Sequence, residues 1–124
     1  MKGDNRQPQP LAMSDKFNKL AGVFGRPGLI RMMHTRPCAL KGFMAGERPL
    51  GPRHSERLEF LHGVVCHLEV SHNPVGINEW FDCPRRHFGG RAVRDILFQA
   101  WRTDQTEIRR IGQMARAVAA PPSC

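Results

Sequence analysis

The sequence predicts an all-α protein, and three observations carry the prediction. Apolar residues recur at helical spacing in segment after segment, from Phe17, Leu20, Ala21 and Phe24 near the start to Ile108, Ile111, Ala115 and Val118 near the end. Glycine and proline fall between those segments, where helices stop and start. No stretch alternates apolar and polar residues with the period of two that a half-buried strand requires.

Residues 1–14 hold Gln, Pro, Asn and Gly around isolated apolar residues and read as a disordered leader. Ser14 or Asp15 N-caps a helix running from Lys16 to Phe24, and Gly25 ends it in the position that favours glycine. Pro27 opens the next helix, to about His34, where its missing N–H has no helical partner to lose. That helix carries Leu29, Ile30, Met32 and Met33. Thr35 is placed to cap a third, from Pro37 to Ala45, which turns Leu40, Phe43 and Met44 inward and is closed by Gly46. Glu47 to Pro52 is a turn-rich break.

A longer helix follows from Ser55 to Glu69, with Leu58, Leu61, Val64, Val65 and Leu68 forming the stripe of an amphipathic helix packed on one side. Ser71 to Pro74 breaks it. Then come a short helical turn with Ile77, Trp80 and Phe81, a loop at Pro84, and a helix from Arg91 to Trp101. This helix is expected to bury Val93, Ile96, Leu97, Ala100 and Trp101. Asp104 followed by Glu107 resembles a capping box for the last helix, and Pro121-Pro122 stops it. The organisation expected is a leader (1–14), a helix-turn-helix lobe (15–54), a three- to four-helix lobe that includes the bridging helix (55–120), and a tail (121–124).

The 124 residues suit one domain or two small lobes sharing a core. No apolar run approaches the ~18 residues of a membrane span, and the amino-terminal stretch has no apolar segment of secretory type. Four scattered cysteines fall short of a disulfide framework and favour a reducing cytosol. The formal net charge is +8. Up to Arg57 there are eleven Lys and Arg against four Asp and Glu, and after it eight against seven. An excess confined to one half points to a polyanion partner for that half.

Two short helices joined by a tight turn are the helix-turn-helix pattern, in which the second helix reads bases and flanking cations neutralise phosphates. The candidates for DNA contact are Thr35, Arg36, Cys38, Ala39, Lys41 and Arg48, with Lys16, Lys19, Arg26, Arg31 and Arg53 along the phosphate backbone. The plain alternative is a helix pair kept for packing or dimerisation. Further along, Phe88-Gly89-Gly90-Arg91 joins an aromatic pair and a proline loop to a helix, with Arg85, Arg86, Arg91 and Arg94 around it. Adjacent glycines permit backbone conformations closed to other residues and let a neighbour approach closely. Here the plain alternative is a helix entry beside a solvated basic face.

His62 and Cys66, and Cys83 and His87, supply the side-chain types of a Cys2His2 zinc site. Neither pair is a Cys-x-x-Cys and Pro84 interrupts the second. The preferred reading has no metal and no cofactor, with Cys66 a small buried residue and His62 at the surface. No Ser-His-Asp order, phosphate loop or His-Glu-x-x-His motif is present, which argues against an enzyme.

The stretch Asn78 to Ala117, and within it the core Trp80 to Arg91, resembles the toxin-binding domain of the Xre/MbcA/ParS-type antitoxins, whose pattern runs from a tryptophan through a short loop, a proline and a double glycine to an apolar helix and a final helix; with the amino-terminal lobe the resemblance covers residues ~16–118. The second helix of the amino-terminal lobe is similar to that family's DNA-binding lobe at Cys38, Leu40, Gly42, Phe43, Met44, Gly46 and Pro49. Gly42 stands where the family commonly has a polar or basic residue, Phe43 where it has tryptophan, and the AAPPSC tail departs from its usual end. The resemblance implies an antitoxin that occludes a RES-type, NAD-consuming toxin and represses its own operon, as a homodimer or as the toxin complex. It implies toxin contact by Arg85, Arg86, Phe88, Gly89, Gly90, Arg91, Arg94 and Trp101. A stand-alone DNA-binding regulator and an adaptor docked on an unrelated complex remain open alternatives.

Overall fold

A computed structural model describes residues 13–119. The expected leader, apart from Met13 and Ser14, and the expected tail lie outside the described residues. Seven α-helices follow in order: α1 (Met13–Phe24), α2 (Arg26–Met33), α3 (Pro37–Ala45), α4 (Pro52–Leu68), α5 (Pro74–Asp82), α6 (Val93–Leu97) and α7 (Thr106–Ala119). A single 3₁₀ turn, Arg86–Phe88, lies between α5 and α6. The described residues contain no strand, so the all-α expectation holds.

Local chemistry sets the boundaries. Gly25 takes φ +80° between α1 and α2, and Gly46 takes φ +74° after α3, where its N–H and that of Glu47 bond the carbonyls of Phe43 and Gly42. His34 ends α2 at φ +56° without being glycine. Its left-handed cap lets the Thr35 N–H reach the Ile30 carbonyl at 3.1 Å, and its ring Nε2 donates to the Leu97 carbonyl at 2.9 Å. Asn73, expected only to break the preceding helix, caps α5 through Oδ1, which accepts from the Gly76 N–H at 2.8 Å.

Helix α1 is the hub, touching α2, α3, α4 and α5. Its buried Phe17 stacks on Phe43 of α3 with centroids 5.1 Å apart, and Phe24 meets Phe81 of α5 edge to face at 4.8 Å. Helix α7 packs along α4 through Ile108, Ile111 and Ala115, all fully buried. The buried side chains make one continuous cluster from Phe17 to Ala115, so helices α1–α3 and the later helices share one interior.

Several boundaries correct the sequence reading. Helix α1 starts at Met13 and α4 at Pro52, each three residues early. The expected Arg91–Trp101 helix is only Val93–Leu97, and Ala100 is exposed. Trp101 leaves the helix because stronger partners hold it elsewhere: its indole N–H donates to the Met32 carbonyl at 2.8 Å. Its own carbonyl accepts from Nε and Nη2 of Arg57 at 3.2 and 3.0 Å. The last helix begins at Thr106, while Gln105 Oε1 accepts from the Arg102 N–H. The Asp104 cap is thus replaced by a glutamine turn.

Arg57 is the buried charge of the core, 7% exposed. Nη1 donates to the Met33 carbonyl at 3.2 Å, and the guanidinium lies 5.6 Å from the Trp101 ring centroid. With the Trp101 indole it caps the last carbonyls of α2, which have no partners inside the helix. Burial, and secondarily the charge of Arg53, lowers its pKa below the ordinary arginine value.

Candidate functional site

The head of α3 brings together Thr35, Arg36, Ala39 and Arg48 from the six DNA-contact candidates. They border one open pocket of about 370 Å³, with His54 of α4 on its far side. Arg36, Arg48 and Lys41 are exposed and make no ion pair among the described residues, whereas Ala39 is 8% exposed and packs inward. Ala39 is therefore corrected from a readout position to a core one, because it shares the inward face of α3 with Leu40 and Phe43. Cys38 is exposed. His54 adds a feature absent from the sequence reading, since its Nε2 is buried without a hydrogen-bond partner among the described residues.

Gly42 has a physical reason here. A Cβ built on it would stand 3.0 Å from the Cβ of Arg48, so the glycine lets the chain after α3 fold back across that helix and present Arg48. Two expected phosphate contacts are engaged elsewhere. Lys16 pairs with Glu59 of α4 at 2.7 Å, and Lys19 with Glu69, just past the end of α4, at 2.7 Å; the hydrogen bond to Glu69 raises the Lys19 pKa above its usual value. Arg31 lies 3.8 Å over the ring of Phe98. Arg26, Arg36, Lys41, Arg48 and Arg53 are exposed.

The second candidate is the turn from Arg85 to Arg91. The Arg85 carbonyl accepts from the N–H groups of Phe88 and Gly90 at 3.1 and 2.8 Å, and the Arg85 N–H donates to the Arg91 carbonyl at 3.1 Å. Gly89 and Gly90 take φ of +66° and +87°, and a Cβ on either would meet nothing within 4 Å. Conformation demands the glycines; no packing within the described residues does. Phe88, 2% exposed, plugs the turn into the core, and Arg85 lies 4.6 Å over the Trp80 ring while donating to the Trp80 carbonyl at 2.7 Å. The inner side is therefore pinned, and the outer side is bare backbone between the exposed side chains of Arg86 and Arg91.

The eight residues expected to meet a toxin thus divide. Arg86, Gly89, Gly90 and Arg91 face outward together, with Arg91 paired to Glu107 of α7. Phe88 and Trp101 are corrected to core residues, each held by its burial, and Arg85 is a brace. Arg94 is engaged internally with Asp82 and with Asn78, whose amide in turn caps the Val23 carbonyl at the end of α1 at 2.7 Å. No sequence signal singles out Asn78, whose role depends on partners distant along the chain.

No protein-family description, curated protein or solved structure matches this chain.

His62 and Cys66 are neighbours on α4, with sulfur 3.7 Å from the ring nitrogens, and Cys66 is exposed rather than buried. It lies on the flank of α4 away from the Leu58–Leu61–Val65–Leu68 stripe. Cys83 and His87 stand in the α5–α6 connection, and no group of three or more metal-ligating side chains forms among the described residues. Burial, and next the charges of Lys16 and Lys19, lowers the pKa of His62 below its ordinary value.

Proposed function

We infer that this protein is an antitoxin-type inhibitor: it docks through the outer side of the Arg85–Arg91 turn onto an NAD-consuming toxin of RES type and occludes its active site. It acts by stoichiometric contact and supplies no chemistry of its own. The observation carrying this reading is the asymmetry of the turn. Its inner half is fixed by Phe88, Arg85 and a set of backbone hydrogen bonds, while two conformationally demanding glycines and two arginines are exposed on its outer half. A rigid, bare backbone costs little ordering entropy on binding, and guanidinium groups suit the carboxylate rim of a nucleotide-consuming cleft. The sequence resemblance of this block to antitoxin toxin-binding domains supports the same reading.

The test uses the full chain. A tagged wild-type protein is expected to co-purify one small protein in stoichiometric amount. That partner, expressed alone, should deplete cellular NAD and arrest growth, and co-expression of the chain should restore both. Arg86→Glu, a change at an exposed position, should abolish the rescue while leaving the protein folded. If no captured partner consumes NAD, the inhibitor reading fails.

A second reading, operator binding, is favoured by the pocket at the head of α3 with Arg36, Arg48 and Lys41 outward. It predicts duplex DNA affinity that falls steeply with salt and a shallower salt slope in Arg36→Gln/Lys41→Gln. Affinity that is insensitive to both salt and the two changes would overturn it.

A further inference from the structure

Helices α4 and α7 leave between them a groove of about 540 Å³ that neither surface above uses. Arg109, Arg110 and Arg116 line it, with Gln113, the hydroxyl-bearing Thr103 and Thr106, and the ring of Phe60. All three arginines are exposed, and none makes an ion pair or a side-chain hydrogen bond among the described residues. Arg109, Gln113 and Arg116 stand at i, i+4 and i+7 and so share one face of α7. At a rise of about 1.5 Å per residue the two outer arginines are separated by about 10 Å along the helix, so one small ligand touches both.

The floor is shaped by glycine. Gly112 faces Phe60, where an added Cβ would stand 3.3 Å from Cε1, and Gly63 continues the groove along α4 with nothing within 4 Å of its own added Cβ. A side chain at Gly112 would crowd the approach to the aromatic ring. Phe60 is held in place against Trp101, with centroids 5.4 Å apart.

We propose that this groove binds a nucleotide, with its phosphates on the guanidinium groups of Arg109, Arg110 and Arg116 and its base against Phe60. Arginine forks pair bidentately with phosphate oxygens. An aromatic face takes a base of any identity, and its stacking adds to affinity. The threonine hydroxyls and the Gln113 amide offer hydrogen bonds to a sugar. The volume lies within the range of small-molecule sites. A polymer fits less well, because the positive run stops: Glu59 and His67 line the continuation of the groove, and Glu56 sits behind Thr103, accepting from its hydroxyl at 3.5 Å.

The experiment titrates the full chain with a fluorescent ATP analogue, then competes it with ATP, adenosine, inorganic tripolyphosphate and a short single-stranded oligonucleotide. Saturable one-to-one binding is expected, with ATP outcompeting tripolyphosphate. It should weaken about tenfold or more in Arg109→Gln/Arg116→Gln, since two charge-assisted guanidinium contacts to phosphate are lost. Arg109→Lys/Arg116→Lys keeps the charge, loses the forks and should weaken binding less, which guards against a folding artefact. Arg36→Gln/Lys41→Gln and Arg86→Glu should bind the analogue as wild type does, keeping this result separate from the readings above. Absence of saturable binding overturns the proposal. So does competition by tripolyphosphate equal to that of ATP, which would leave a phosphate patch with no base contact. An oligonucleotide that wins phosphate for phosphate would make the groove a nucleic-acid track and overturn it as well.

Discussion

Arg57 offers the sharpest test of how this core is held. Replacing it with methionine keeps an unbranched, though shorter, side chain but removes the donors from the Met33 and Trp101 carbonyls. A buried carbonyl left without its donor costs about 1–3 kcal/mol. Against that, the substitution releases the penalty of keeping a guanidinium 7% exposed with no carboxylate beside it. The two opposing effects leave a net loss of about 2–4 kcal/mol, because the guanidinium is satisfied by three hydrogen bonds and a ring face and its burial is correspondingly well compensated. For a chain of this size that corresponds to a fall in Tm of roughly 10 °C. Urea unfolding followed by tryptophan fluorescence should show an earlier midpoint with an unchanged slope, and Arg57→Lys should fall between. Equal or greater stability of Arg57→Met would refute the reasoning and make the buried charge a liability.

Three further outcomes follow from the same geometry. The folded-state pKa of His62 lies below the unfolded value near 6.5, so its neutral form favours the fold. Its contribution should be present in full above pH 6.5 and lost as pH falls below that through the folded pKa; stability measured from pH 7.5 to 5 should decline less in His62→Gln. Glycine-to-alanine changes should differ in sign: Gly63→Ala, inside α4 with open space, should gain about 0.5–1 kcal/mol, whereas Gly90→Ala at φ +87° should lose about 1–2 kcal/mol. Both are read from urea midpoints. Gly42→Ala should lose about 1 kcal/mol despite the better helix former, because the Arg48 Cβ it meets is fixed to the backbone; a gain would mean that the chain after α3 shifts freely.

The helices were legible because their signals are local. Gly25, Gly46 and Pro37 mark boundaries that the fold keeps, and the stripes of α4 and α7 point inward as their spacing predicts. What the sequence hid depends on distant partners. Trp101 lies one helical turn beyond Leu97 and so looks like a continuation of α6, yet residues 44 and 69 positions away hold it outside. Arg57 falls in register with Leu61, Val64 and Leu68, but its charge argued for solvent; only the carbonyls around it explain its burial. Cys66 erred the other way: as a small apolar residue it suggested burial, while its angle on α4 points outward. At the candidate sites, spacing identified the outward cations of α3 and the double-glycine turn. It could not show that Lys16, Lys19 and Arg94 are already engaged by this chain's own carboxylates.

The clasp of Arg57 and Trp101 on α2 also bears on how this chain can be divided. The pieces that close α2 lie on α4 and in the connection between α6 and α7, so a fragment ending at residue 54 would keep the α2–α3 pair but lose what fastens α2. A fragment starting at residue 55 would keep Trp101 and Arg57 with nothing to grip. Cutting the chain between α3 and α4 therefore takes the fastening of α2 away from both pieces, and each surface depends on the uncut chain for its footing.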